Sequence, residues 1–324
     1  MRPRRRVGVV KELVRYPVKS MAGERLTTAE LTRRGLTGDR AWAVRDEASA
    51  TITGGKRLPV LMTCCARFLE PPERERSRRS APVAITFPDG SEITSDAPEV
   101  HRRLSDLVGR RVTLCPLHDA RDRRHYRAPR MKLAEMREMF AVGNNEALPD
   151  FSMFPLSKLG ELSLFATPLG TYFDAYPLHV LTTASLEAMK RLAPSTDFDA
   201  RRFRPNVLVE SPEPGFPELG WCDHTLDVGG ASIAIRIPTV RCSMPSRPQR
   251  DLAADTGVAK ALAAHAERCI GVYADVARNG TIAIGDPVEL GALSASSFAR
   301  WSRGPRTALK RLLLRAVAAV LPER

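Results

Sequence analysis

The run Ile237-Pro238-Thr239-Val240 ends at Arg241-Cys242 and gives way to the proline-rich Ser243-Met244-Pro245-Ser246-Arg247-Pro248. A thiol at such a junction beside a guanidinium is placed to ionise, and thiolate is both a nucleophile and a soft metal ligand. On its own Cys242 reads first as a small hydrophobe closing the end of a barrel. Four other clusters change that reading. Tyr16-Pro17-Val18-Lys19-Ser20 offers an ammonium and a hydroxyl at a strand exit, although alone it is an ordinary solvated turn. Gly35-Leu36-Thr37-Gly38-Asp39-Arg40 delivers a guanidinium, Arg40, from a glycine-paired turn. Arg201-Arg202-Phe203-Arg204-Pro205-Asn206 sets three arginines within four residues. Surface salt bridging would explain them, but the planar fork of arginine also matches phosphate or carboxylate, and Asn206 has a donor and an acceptor for a heterocycle edge. Thr182-Thr183-Ala184-Ser185 leads from a strand into a helix, where hydroxyls and free N–H groups suit phosphate. Together the clusters ask for a ligand with a phosphate, a hydrogen-bonding ring and an atom that takes thiolate.

The elements that must position these groups are mostly strands. Val7–Val14, Leu26–Leu31, Ala41–Val44, Val83–Phe87, Glu92–Thr94 and Arg111–Leu114 carry β-branched or alternating patterns in the first half, with a helix over 99–108. Residues 71–79 read as a charged surface loop, and the Arg-rich, Met-rich stretch 119–177 as a connection carrying a short helix over 131–140. The second half adds strands near 178–181, 207–209, 233–237, 272–276, 281–284 and 288–290, with a helix over 184–192. Many short strands and few helices predict a mainly β (α+β) chain with barrel-like closure rather than a doubly wound sheet. Leu309, Leu312, Leu313, Ala316, Val317, Val320 and Leu321 fall on one face of a predicted amphipathic helix within a basic segment, 300–324. That helix, 305–321, is expected to dock on the barrel, on a partner or peripherally on an anionic membrane surface.

The net charge of +13 is unevenly spread. The first six residues carry four arginines, and residues 300–324 carry seven cations against one carboxylate, which leaves only +3 for the body between them. No nucleic-acid partner is therefore indicated for the body. The six cysteines show no CxxC pair and no zinc-ligand spacing, and with no signal peptide evident they read as reduced thiols of a cytoplasmic protein.

In this order, Tyr16-Pro17-Val18-Lys19-Ser20, Gly35 to Arg40, Arg202-Phe203-Arg204-Pro205-Asn206 and Arg241-Cys242 resemble the motifs of the MOSC proteins, the molybdenum cofactor sulfurase C-terminal domain family. Gly271-Val272-Tyr273 and Gly280 to Asp286 are similar to that family's closing strands. The resemblance implies a MOSC N-terminal β-barrel domain over 7–118, the connection 119–177 and a MOSC core over 178–291. It implies molybdenum–molybdopterin (Mo-MPT) as cofactor, with Cys242 as catalytic metal ligand. It further implies that Lys19, Ser20, Arg40, Arg204, Asn206 and Arg241 hold the pterin and its phosphate, with Thr182, Thr183 and Ser185 near that phosphate. The expected activity is reduction of N-hydroxylated or N-oxygenated small molecules, as in the amidoxime-reducing members, with electrons from a separate donor protein. Two alternatives stand beside it: a sulfur carrier or cofactor-handling protein with a persulfide on Cys242, and a non-enzymatic binding module recruited by its basic tails. The loop Ser243 to Gln249 departs from the hydroxyl-rich segment and Asp-Pro turn usual in the reducing enzymes, which leaves substrate choice open.

Overall fold

The computed structural model describes residues 4–72, 80–129 and 131–293, so the expected amphipathic helix at 305–321 and most of the charged loop at 71–79 lie outside the described residues. The chain is mainly β, as expected, with a closed barrel of seven strands at its centre. Around the barrel the order is Arg5–Arg15, Val207–Glu210, Leu178–Thr182, Cys269–Arg278, Ala231–Val240, His224–Val228 and Pro287–Leu293, which returns to Arg5–Arg15. Every pairing is antiparallel except Leu178–Thr182 with Val207–Glu210. That parallel pair needs a crossover, supplied by helix Thr183–Leu192. Inward side chains of all seven strands, among them Val10, Leu13, Val180, Val209, Ile235, Val272 and Val288, fill the barrel with Trp221. In the opening strand a register shift between Val10 and Glu12 carries the inward face from Val10 to Leu13, the re-aiming that a bulge produces.

The opening strand joins the barrel of the second half. Arg5–Arg15 pairs with strands of the second half, and the hairpin Thr28–Thr32 with Gly35–Leu36 lies against Gly280–Ala283. Ala29, Leu31 and Leu36 therefore belong to the barrel core. A second core gathers Val18, Met21, Trp42, Val44, Leu61, Cys64, Phe68, Ile85, Val100, Leu104 and Leu114 between two three-stranded sheets and helix Val100–Val108. The connection is more ordered than expected. It carries the predicted short helix at Leu133–Met139 and an unpredicted one at Leu156–Leu164, and its aromatics Phe154, Tyr172 and Tyr176 pack against both units. No helix of the described residues is long and apolar enough to cross a membrane.

Candidate functional site

Strand Ala231–Val240 ends with Val240 opposite Cys269, and Arg241 and Cys242 follow where the strand leaves the barrel. The chain then turns sharply. Ser243 N–H donates to the Met139 carbonyl (2.8 Å), and Met244 is buried at the Gly55–Met62 wall of the N-terminal unit. Cys242 is thus half-buried at the seam between the units, and all six cysteines are free thiols.

Cations line this seam. Lys19 Nζ donates to the Tyr172 carbonyl (2.9 Å) and to Asp174 Oδ1 (2.7 Å), and Lys56 reaches the same carboxylate at 3.6 Å. Burial alone would raise the Asp174 carboxyl, but Lys19 and Lys56 outweigh it and hold it well below the usual carboxylate range. Burial also lowers Lys19, partly offset by Asp174. Ser20, in a left-handed conformation at φ 72°, accepts the Gly55 N–H (2.7 Å) and so fixes the loop that presents Lys56. Arg40 pairs with Asp39 and lies over the Tyr16 ring at 5.1 Å, while Arg204 lies over that ring at 4.2 Å. Arg241 donates to the Phe203 carbonyl (2.9 Å), next to Arg204. Tyr273 completes the wall, its hydroxyl pushed up to about 12 by burial and by the Asp174 charge.

Several polar atoms here have been taken out of water without a partner. Arg204 Nη2, Arg241 Nε, His179 Nε2 and Ser243 Oγ are all buried and unbonded. Leaving such a group unsatisfied costs on the order of 1–3 kcal/mol, more when it is charged. Burial pushes the Arg204 guanidinium down to about 10 for the same reason. Among the described residues, five cations, Lys19, Arg40, Lys56, Arg204 and Arg241, gather at the seam with Asp39 and Asp174 as the carboxylates paired to them. The arrangement suits an anionic group with several acceptors.

The sequence-predicted residues divide in two. Lys19, Ser20, Arg40, Arg204, Arg241 and Cys242 come together at the seam. Asn206 instead acts as an internal clamp: it is 1 % exposed, its Oδ1 accepts the His179 N–H (3.2 Å) and its Nδ2 donates to the Val14 carbonyl (3.2 Å). Its heterocycle-edge reading therefore gives way to joining two barrel strands. Thr182 and Ser185 are likewise committed, because both hydroxyls donate to the carboxylate of Glu218 (2.6 Å each) and neither residue is exposed. Thr183 is half-buried at the start of the same helix. Lys56, Asp174, His179 and Tyr273 were missed, since each stands alone in sequence. The Gly54-Gly55 pair before Lys56 and the acid before Tyr176-Pro177 are the only local signals.

Burial raises the Glu218 carboxyl, and the hydroxyls of Ser185 and Thr182 only partly restrain it. An unfolded Glu titrates near about 4.3. The native state keeps its proton to higher pH, so stability falls as pH rises from that value through the raised one. Glu218→Gln is expected to flatten that fall, read as thermal midpoint against pH. An unchanged slope would show that Glu218 is ionised across the range.

The MOSC domain family matches residues 169–289, and the MOSC N-terminal beta barrel domain family matches residues 7–115. No curated protein matches the chain. Among solved structures, the YuaD protein from Bacillus subtilis is 12% identical over 89% of this chain and 98% of its own, with a TM-score of 0.40. YiiM from Geobacillus stearothermophilus is 16% identical over 38% of this chain and 57% of its own, with a TM-score of 0.30. MOSC domains are associated with molybdenum cofactor binding and with sulfurase-like proteins. The two family matches, placed over the second core and the barrel with Cys242 at the seam between them, make this chain a member of the MOSC domain proteins.

Proposed function

We propose that the seam holds a molybdenum–molybdopterin cofactor with Cys242 as the protein ligand to the metal, and that the protein reduces N-hydroxylated or N-oxygenated small molecules. The observation that carries this reading is the set of unbonded buried atoms on Arg204, Arg241 and Ser243 at the seam that holds the half-buried thiol. They fit a phosphate-bearing, multiply accepting ligand whose metal takes soft thiolate. When bound, the cofactor supplies oxygen-atom transfer coupled to two electrons. The chain's own residues bind and orient it. Arg204 and Arg241 meet its anionic groups, Lys19 and Lys56 add positive charge beside the thiol, and Met244 and Tyr273 wall the seam from water. Electrons come from a separate donor protein, and the compartment is the cytoplasm.

The test is expression in a host that makes molybdopterin, followed by elemental and pterin analysis. Near-stoichiometric molybdenum and pterin, with turnover of an amidoxime or hydroxylamine by an artificial reductant, is the expected result. Absence of both metal and pterin overturns the cofactor reading, and a loaded protein inert toward N-hydroxylated compounds overturns the substrate class alone.

A further inference from the structure

After strand Val112–Pro116 the chain runs Leu117-His118-Asp119-Ala120-Arg121-Asp122-Arg123-Arg124-His125-Tyr126. Asp122 N–H bonds the Asp119 carbonyl (3.0 Å) and His125 N–H bonds the Asp122 carbonyl (3.1 Å), so the segment folds back on itself. One ligand atom from each of His118, Asp122 and His125 then lies within 4.8 Å of the others. The geometry points to a binding site for a divalent transition ion, zinc above all, built from these three residues and separate from the seam around Cys242.

A neighbouring group sets the His125 tautomer. The Tyr172 hydroxyl donates to the Pro116 carbonyl (2.7 Å), so His125 Nε2 must donate to that hydroxyl oxygen (2.8 Å), which leaves the lone pair on Nδ1. His118 Nδ1 lies 3.2 Å from Asp122 Oδ2, close enough for both to reach one ion once that nitrogen carries no proton. An imidazole whose other N–H is held by a partner is the usual surrounding of a metal-ligating histidine. Two imidazoles and one carboxylate favour zinc over magnesium or calcium and leave a fourth position for water.

The rings of His118 and His125 lie face to face, with centroids 3.7 Å apart and planes 3° apart. In-plane lone pairs on parallel rings cannot meet on one ion at about 2.0–2.1 Å. His118 is the ring that turns out of the stack, its side chain being 38% exposed while His125 is buried among Tyr126 and Tyr172. Those two tyrosines share a small core with Ala43, Ile52 and Phe165. A bound ion would therefore tie His118, at the end of the N-terminal unit, to the first turn of the connection.

The test is a cobalt(II) titration of the full chain and of Cys242→Ala, His118→Ala and Asp122→Asn. Cobalt reports its ligands by colour: nitrogen and oxygen ligands give weak visible bands, and thiolate adds an intense near-ultraviolet charge-transfer band. Cys242→Ala is expected to take up one equivalent without the thiolate band, and His118→Ala to bind at least about tenfold more weakly. Zinc should raise the melting point of the parent and of Cys242→Ala, and leave that of His118→Ala unmoved. If His118→Ala melts abnormally without metal, Asp122→Asn carries the comparison. Absence of cobalt binding in Cys242→Ala, or parental affinity in both ligand variants, overturns the site whether or not the protein binds molybdenum.

Discussion

Cys242→Ala is expected to give a folded protein that retains no molybdenum and turns over no substrate. The thiol is half-buried at the end of a strand and lies outside the hydrophobic clusters of both units. Its removal should therefore change stability by no more than about 1 kcal/mol, the scale of substitutions that open no large cavity. With Cys242 as the proposed protein ligand to the metal, its loss should instead empty the site, because the cations at the seam would hold only the anionic part of the proposed cofactor and offer no soft donor. Cys64→Ala is the matched control. That thiol is fully buried in the N-terminal core and its ionisation is pushed up to about 12 by burial, so the change should lower the melting point and leave metal content alone. Metal retained in full by Cys242→Ala would show that the ligand is another residue.

The second large effect is expected at Gly271. It lies within strand Cys269–Arg278 at φ 73°, and a Cβ there would stand 2.2 Å from His179 Nε2 and 2.8 Å from the Val180 carbonyl oxygen. The left-handed conformation costs a non-glycine residue about 1–2 kcal/mol, and the forced shift in a packed barrel adds about 1–3 kcal/mol. Gly271→Ala should therefore lower stability by about 3 kcal/mol, with a melting point several degrees lower by calorimetry. The damage should reach the site as well, because His179 is held on Asn206 and faces Tyr273 at 6.1 Å. A variant that melts with the parent would mean that the His179 ring has room to move aside.

Periodic patterns were legible and pairwise meetings were not. The strand from Val7, the Val83–Thr86 hairpin partner and helix Val100–Val108 announced themselves through alternation or helical spacing. Strands Thr51–Thr53 and Cys65–Phe68 were too short to show a period, and His224–Val228 offers only Leu226 and Val228 as apolar positions in its alternation. Arg201 to Arg204 suggested an anion site, yet only Arg204 reaches it. Arg201 is spent on Asp199 and Asp251, and Arg202 on Asp197. Thr182 and Ser185 carried the right chemistry for phosphate, but their fate was set by Glu218, on a turn that no local spacing connects to them. Which acceptor captures a hydroxyl is decided by tertiary packing, and a single sequence does not record it.

The two cores are sewn together by the chain itself. Reading along it, Leu13 lies in the barrel core, Val18 and Met21 in the N-terminal core, Ala29, Leu31 and Leu36 in the barrel again, and Trp42 back in the N-terminal core, before the connection returns to Leu178. Lys19 and Ser20 sit between the first two of these stitches, Arg40 on the third, and Asp174 just before the last. Units joined by one linker can swing apart, but units laced this way share a backbone on both sides of every anchoring side chain. Each crossing holds one of the anchoring side chains, so Lys19, Arg40 and Asp174 are all tied to both cores by short stretches of backbone. Asp174, the more exposed member of both its ion pairs, stands at the rim where this lacing meets water.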